Sequence, residues 1–92
     1  MLPDNTRPRT PTSLRGWSVG KRVTLHWNAS TDNVAVVGYR IFRNDQYVRT
    51  TTYLTRRLWQ PAGVYTFYVR AVDAAGNVSR RSNRITVTVL GT

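Results

Sequence analysis

The sequence predicts an all-β fold, an antiparallel sandwich of short strands, and two observations carry that prediction. Apolar and polar residues alternate with a period of two over several stretches, which indicates strands with one buried face. Turn-forming residues interrupt these stretches roughly every 8–12 residues, a spacing typical of sandwiches. Helical periodicity appears nowhere along the chain.

The first twelve residues, MLPDNTRPRTPT, predict an extended arm, and residues 13–92 are assigned to one domain. The arm holds three of the four prolines and shows no apolar period. Met1 and Leu2 supply most of its apolar surface, so we expect it to add little to the core. Ordering such a segment costs backbone entropy. We therefore expect the arm to become ordered only against a neighbouring molecule, with Arg7 and Arg9 anchoring it to acidic groups.

The next two segments read as strands. The stretch RVTLHW places Val23, Leu25 and Trp27 on one face, opposite polar residues. The stretch GYRIFRNDQYVRT predicts a hairpin around Asn44 and Asp45, which tolerate tight-turn dihedrals. A two-residue turn there fixes the predicted cross-strand pairs, which are Arg43 with Gln46, Phe42 with Tyr47, Ile41 with Val48 and Arg40 with Arg49.

Two further stretches, VYTFYVRAV and RITVTVL, complete the strand pattern. In each of them every second residue is apolar, so each predicts a strand with one face toward the core. The residues predicted to face the core here are Tyr65, Phe67, Val69, Ala71, Ile85, Val87 and Val89.

Charge is the unusual feature of the composition. The chain has 92 residues, enough for one core, and 40% are hydrophobic. It contains 14 Lys and Arg residues against four acids, all Asp, for a formal net charge of +10. Only Lys21 among the cations is not arginine. This imbalance predicts an anionic partner. Cysteine is absent, which excludes disulfides and thiolate chemistry.

The sequence shows no sign of membrane insertion or of an export signal. No apolar run approaches the roughly 18 residues of a membrane span. The start of the chain lacks the basic and apolar regions of a signal peptide. The expected location is a virion surface or the extracellular space, and a membrane partner is not expected.

Two stretches, HWNASTDNVAVVGYRIFRND and YTFYVRAVDAAGNVSRRSN, closely resemble fibronectin type III modules of bacterial type. The resemblance rests on Trp27, Gly38–Tyr39, Tyr65 and the preceding Pro61, and it covers about Thr10 to Leu90. It implies a seven-stranded sandwich with strands A, B and E in one sheet and C, C′, F and G in the other. It also implies a non-catalytic module, which in bacteria spaces or attaches domains of secreted polysaccharide-degrading enzymes or decorates phage virions.

One segment departs from the family pattern. The stretch TRRLWQPAG, before the corner at Tyr65, is one residue longer than usual. Either Leu58 or Trp59 could fill the core position on this strand. Arg56 and Arg57 are also atypical there, so the register of the strand is left open.

The residues needed for catalysis are missing. His26 is the only histidine, and its place on the polar side of a strand favours a solvated side chain. Glutamate is absent, and Asp32 is expected to cap a loop through its own backbone amides. Paired carboxylates, a glycine-rich phosphate loop and a metal-ligand cluster do not occur. The sequence therefore predicts no enzyme activity, no cofactor and no metal.

Aromatic and arginine residues form the candidate contact surface. In the family topology strand F lies beside strand C and turns Tyr68 and Arg70 outward. This predicts an outer face composed of Arg40, Phe42, Tyr47, Arg49, Tyr68 and Arg70. A second basic zone, of unknown position relative to the first, contains Arg7, Arg9, Arg80, Arg81 and Arg84. The alternative is a solvated face whose guanidinium groups stack on neighbouring rings.

Three functions remain open on sequence alone. The first is a non-catalytic module that docks on an acidic protein surface of a larger assembly, in several copies, most concretely as a phage capsid or tail decoration. The alternative is an accessory, spacer or carbohydrate-contacting module of a secreted bacterial glycoside hydrolase. The third is nucleic-acid or polyanion binding, which arginines and aromatics on a sheet would suit but no nucleic-acid motif supports.

Overall fold

The computed structural model describes residues 5–91, and seven antiparallel strands form two sheets within that range. The strands are β1 (Thr12–Val19), β2 (Arg22–Asn28), β3 (Val36–Arg43), β4 (Gln46–Thr51), β5 (Thr55–Trp59), β6 (Gly63–Asp73) and β7 (Ile85–Val89). One sheet has the order β1-β2-β5 and the other β4-β3-β6-β7. This confirms the all-β sandwich and the division of strands implied by the resemblance. Between residues 5 and 91 the structure has no helix capable of crossing a membrane.

Trp27 lies at the centre of the core between the sheets. Its side chain is 0% exposed, and its ring packs edge-on against Tyr39 with centroids 5.7 Å apart. The other predicted core residues are buried as well, except Tyr65 and Ile85, which are partly buried and pack against the cluster. Leu58, and not Trp59, fills the core position on β5. Because side chains alternate along a strand, the neighbouring Trp59 turns to the opposite face and is 75% exposed.

The corner before β6 is fixed by a side-chain hydrogen bond. The hydroxyl of Tyr65 donates to the carbonyl oxygen of Pro61 over 2.6 Å, which is the tyrosine corner of immunoglobulin-like sandwiches. The longer segment before the corner is accommodated at Gln60. Its amide donates to the carbonyl of Lys21, and its side-chain oxygen accepts a hydrogen bond from Arg43.

The hairpin between β3 and β4 turns at Asn44 and Asp45, as predicted. Both residues adopt left-handed dihedrals, with φ of 51° and 66°, which fits the strand twist. The predicted pairs Arg43–Gln46 and Phe42–Tyr47 are observed.

Beyond these two pairs the predicted register of the hairpin is wrong. Ile41 lies opposite Arg49, and Arg40 lies opposite Thr50, because one extra residue forms a β-bulge in β4. The bulge lets Val48 pack against the core. It also removes the unfavourable pairing of Arg40 with Arg49.

The described part of the N-terminal arm lies along its own sandwich. Pro8 and Pro11 are buried, and the amide of Arg9 donates to the carbonyl of Thr31 over 2.9 Å. The expectation that the arm adds little to the core and needs a neighbour for order is therefore wrong for residues 8–11. Proline loses little backbone entropy on ordering, so burying its ring is sufficient. Met1 and Leu2 lie outside the described residues.

The chain enters and leaves the sandwich at opposite ends. Thr12, at the start of β1, pairs with Asn28 at the end of β2. Val89, at the end of β7, pairs with Gly63, next to the corner that precedes β6. The structure measures 56 × 20 × 17 Å. Thr12 and Val89 are thus separated along the strand direction.

Candidate functional site: an arginine–aromatic ladder

A stacked pair of rings forms the centre of the candidate surface on the four-stranded sheet. Phe42 on β3 and Tyr68 on β6 are directly opposite in register, with centroids 4.9 Å apart and 11° between the ring planes. Tyr47 packs edge-on against Phe42 at 6.0 Å. Cross-strand pairing also places Arg40 opposite Arg70. The sheet register therefore brings these five predicted residues onto one face.

Arg70 lies across the stacked pair. Its guanidinium carbon is 5.7 Å from the ring centroids of both Phe42 and Tyr68. Its Nη1 donates to the carbonyl of Ser79 over 3.1 Å. The positive charge thus lies against the electron-rich ring faces, where a cation is stabilised by roughly 0.5–1 kcal/mol.

Two more arginines reach the same face from the segment between β6 and β7. Ser79 and Ser82 are buried and bond to the backbone of Ala71 and Val69 through both their amides and their hydroxyls. These bonds hold the segment along the edge of β6 and leave its arginines on the outside. The guanidinium carbons of Arg81 and Arg84 lie 5.9 and 5.7 Å from the Tyr68 ring centroid.

The five arginines of the predicted second basic zone therefore do not lie together in the structure. Arg81 and Arg84 join the first zone, and we call the combined set the arginine ladder: Arg40, Phe42, Tyr47, Tyr68, Arg70, Arg81 and Arg84. Arg80 is exposed near it. Arg7 and Arg9 are exposed on the arm, whose Arg9 amide bonds to the loop of Thr31.

Arg49 does not belong to the ladder. The bulge in β4 turns it to a groove of about 500 Å³ between the edges of β4 and β5. It shares that groove with Arg43, Arg56 and Arg57. The orientation of Arg49 was not predicted from the sequence, because a bulge changes the cross-strand partner of every residue beyond it and no turn residue marks its position.

The ladder's rings are largely covered by its own arginines. Tyr68 is only 6% exposed, although its side chain points away from the core. Tyr47 remains open, and its hydroxyl lies 2.9 Å from that of Thr50. These two residues, with Arg40 and Phe42, line a depression of about 420 Å³. The surface therefore offers a partner guanidinium groups and one tyrosine, and not a bare aromatic face.

Within residues 5–91, Asp32, Asp45 and Asp73 bond to groups of the module itself. Asp45 forms an exposed ion pair with Arg84 at 3.1 Å. Asp32 accepts hydrogen bonds from the amides of Val34 and Ala35, as predicted. Asp73 is buried and accepts from amides in the turn that follows β6. Within residues 5–91 no group of three or more His, Asp or Glu could hold a metal ion.

Two exposed tryptophans lie on the other sheet. Trp17 on β1 is 51% exposed and Trp59 on β5 is 75% exposed. Trp17 was absent from the sequence-based candidates. Its alternation with the buried Leu14 could have shown the outward orientation, because residues three apart on a strand face opposite sides.

Comparisons with known proteins agree with the observed fold and identify relatives of the chain. No family model matches the chain. It is 42% identical to chitinase Chi52 of Paenibacillus xylanexedens over 94% of its length, and 42% identical to exoglucanase B of Cellulomonas fimi over 98%. It spans only 17% and 8% of those two proteins.

Solved structures give the same result. A chain of chitinase ChiA74 from Bacillus thuringiensis superposes with a TM-score of 0.84 at 32% identity, covering 97% of this chain and 14% of that one. A human fibronectin type III domain superposes with a TM-score of 0.79 at 17% identity, covering 97% of this chain and 92% of that one. The chain is a fibronectin type III module of bacterial type.

The fibronectin type III module is non-catalytic. Its seven strands, tyrosine corner and central tryptophan are scaffold features, and its arginine ladder has the composition of a contact surface. Its function must therefore be inferred from the surfaces that it presents to other molecules.

Proposed function

We propose that the chain is an accessory module of a secreted bacterial polysaccharide-degrading enzyme. The carrying observation is the 42% identity with a chitinase over 94% of this chain, of which the chain spans only 17%. Similarity to an exoglucanase follows the same pattern. A segment that matches small parts of two different hydrolases has the behaviour of a module reused beside different catalytic domains.

The geometry supports a spacer role. The chain enters near Asn28 and leaves near Gly63, at opposite ends of the strands. Domains attached at both ends would therefore be held apart by the length of the sandwich. Its buried core makes this connection stiffer than a flexible linker, whose end-to-end distance grows only with the square root of its length.

The location follows from the same relatives. We place the module outside the cell, as part of a larger secreted enzyme. Virion decoration, the first hypothesis from the sequence, was supported in part by an arm expected to order only against a neighbour. Because Pro8 and Pro11 are buried in the module itself, that support is gone, and the relatives favour the hydrolase alternative.

Module replacement tests this function. The segment of chitinase Chi52 that matches this chain would be replaced by residues 1–92, with deletion of the segment as the comparison. We expect replacement to preserve hydrolysis of insoluble chitin, and deletion to reduce it while leaving hydrolysis of a soluble oligosaccharide unchanged. A replaced enzyme that behaves like the deletion would overturn the proposal.

The arginine ladder has a proposed role within this function, which is contact with an acidic surface of an adjoining domain. Arg40, Arg70, Arg81 and Arg84 project on one face, and among the described residues the ion pair that they form is that of Arg84 with Asp45. Four cations against one acid attract an acidic surface and repel a basic one.

Polyglutamate serves as a probe of the ladder. We expect the module to bind it at about 0.05 M salt and to release it at about 0.5 M, because exposed charge pairs are screened. The variant Arg40→Gln/Arg81→Gln should bind more weakly than Arg15→Gln/Lys21→Gln, which removes equal charge elsewhere. Equal weakening by both variants would show that net charge, and not the ladder, is responsible.

A further inference from the structure

We propose that the outer face of the β1-β2-β5 sheet binds the flat side of a β-1,4-linked polysaccharide chain through Trp17 and Trp59. This rests on the proposed function and names the ligand class for a second surface of the module. The two indoles come from the two edge strands of one sheet. Both remain substantially exposed, at 51% and 75%.

The strand register fixes the arrangement of this face. Two rows of outward residues cross the sheet, one consisting of Trp17, Thr24 and Arg57 and the other of Val19, Arg22 and Trp59. The tryptophans thus occupy diagonal corners of the two rows. They are separated by two strand spacings and two residues, or about 12 Å between Cα positions. That separation is the scale of a short oligosaccharide.

The indoles differ from Phe42 and Tyr68 of the ladder in that no guanidinium group covers them. On the ladder, Arg70, Arg81 and Arg84 lie over Tyr68 and leave it 6% exposed. Within residues 5–91, no ring or guanidinium group stacks on Trp17 or Trp59. The module therefore leaves two large indole faces open on one sheet, whereas on the other sheet arginines lie over Phe42 and Tyr68 and only Tyr47 stays open.

A β-1,4-linked pyranose chain is chemically suited to such a face. Its ring substituents are equatorial, so each ring presents C–H groups on its flat sides and hydroxyl groups at its edge. An indole covers the apolar side with a rigid surface of low entropy cost. Between the tryptophans, Thr24, Arg22 and Arg57 offer hydroxyl and guanidinium donors to the edge of the chain.

Area and charge argue against a second copy of the module as the occupant. The two indoles expose roughly 300 Å², taking about 250 Å² for a whole side chain. A stable protein interface needs about 1,000 Å² or more. The face also carries Arg15, Arg22 and Arg57, and the described acids Asp32, Asp45 and Asp73 all lie on loops or strands outside it. Two such faces would repel each other, whereas an uncharged polysaccharide meets no repulsion.

Co-sedimentation of the purified 92-residue chain with microcrystalline cellulose and with chitin tests the proposal. We expect binding to at least one of the two, and the pattern tells a glucan from an N-acetylglucosamine chain. Trp17→Ala and Trp59→Ala should each weaken binding about tenfold or more, and the double variant should abolish it. The control Tyr53→Ala removes an aromatic side chain of similar exposure, 71%, from the loop between β4 and β5.

Salt and folding controls make the outcomes decisive. Binding should persist at about 0.5 M salt, because stacking on an uncharged ligand is not screened. The melting temperature should remain near that of the parent, and Trp59→Tyr, which keeps a ring, should retain most of the binding. The proposal is overturned if the parent chain binds neither polysaccharide, if Tyr53→Ala weakens binding as much, or if salt releases it. Absence of binding would leave the accessory function intact, because module replacement tests that separately.

Discussion

The ring of Phe42 stacks on that of Tyr68 with centroids 4.9 Å apart and 11° between the planes, on the outside of the sandwich. The pair behaves as a small second core, because guanidinium groups and not aliphatic side chains exclude water from it. An outward tyrosine that is 6% exposed therefore contributes to stability as a core residue does.

Replacing Tyr68 tests this conclusion. We expect Tyr68→Ala to lower the free energy of unfolding by about 3 kcal/mol, near the value for a buried aromatic residue. Tyr68→Phe keeps the stack and should cost under about 1 kcal/mol. Urea unfolding measures both. In a double-mutant cycle, the coupling between Phe42 and Tyr68 should be about 0.5–1.5 kcal/mol. A near-zero cost for Tyr68→Ala would contradict the buried role.

Trp27 is the residue on which the internal core depends most. It is 0% exposed and packs against Tyr39 at 5.7 Å. We expect Trp27→Ala to cost about 3–5 kcal/mol, a large fraction of the stability of a domain of this size. Trp27→Phe leaves a smaller cavity and should cost less. Thermal unfolding followed by circular dichroism gives the comparison, and a Trp27→Ala protein with parental stability would rule out this packing.

The hairpin turn depends on dihedrals more than on charge. Asp45 forms an exposed ion pair with Arg84, and it also has a φ of 66°. We expect Asp45→Asn to change the free energy of unfolding by less than about 1 kcal/mol, because exposed pairs contribute little and asparagine tolerates this conformation. Asp45→Val should cost more, because branched residues are strained there. Equal costs for the two would assign the effect to the ion pair.

Asp73 holds the turn after β6. Its Oδ1 accepts hydrogen bonds from the amides of Ala75 and Asn77 at 3.0 and 2.7 Å, and the side chain is buried. We expect Asp73→Ala to cost about 2–3 kcal/mol, because it leaves buried donors without an acceptor. Asp73→Asn keeps one oxygen acceptor and should be milder. Chemical denaturation of the two variants checks the order, and equal costs would show that the remaining oxygen acceptor does not hold the turn.

The tyrosine corner allows the contribution of one atom, the hydroxyl oxygen of Tyr65, to the free energy of unfolding to be tested. The Tyr65 hydroxyl donates to Pro61 over 2.6 Å, while its ring packs against the core. Tyr65→Phe removes only the hydrogen bond and should cost about 1 kcal/mol. Tyr65→Leu also alters the packing and should cost more. If Tyr65→Phe were neutral by thermal unfolding, the corner would be held by backbone geometry alone.

Local patterns predicted five of the strands, β2, β3, β4, β6 and β7, and the turn at Asn44 and Asp45, because alternation and turn preference act over a few residues. The first strand and β5 were implied only by the family resemblance. The bulge at Val48 could not be predicted, because it balances core packing against register and leaves no local signal. The same limit applies to the arm. Pro8 and Pro11 are buried beside Arg9, whose amide bonds to Thr31, some twenty residues away in the chain, so the order of the arm depends on a contact that local sequence does not show.

The candidate site shows the same division. Arginines and aromatics on one face were predictable from strand alternation, and the register between β3 and β6 confirms that Phe42 and Tyr68 share it. The covering of Tyr68 by Arg81 and Arg84 was not predictable. It depends on Ser79 and Ser82 replacing regular strand pairing with side-chain hydrogen bonds, which holds the segment against β6.

The separation of Thr12 and Val89 along the strands has a mechanical consequence. A pull applied between Thr12 and Val89 acts along the strands, so the hydrogen bonds that pair β1 with β2 and β6 with β7 are loaded in shear. Asn83 bonds to both backbone groups of Leu14, and Ser18 bonds to the carbonyl of Thr88, so the two sheets are tied at two levels. Such an arrangement should resist extension until several of these hydrogen bonds break together. A module that connects two domains of an enzyme on an insoluble substrate, as proposed above, would need this resistance.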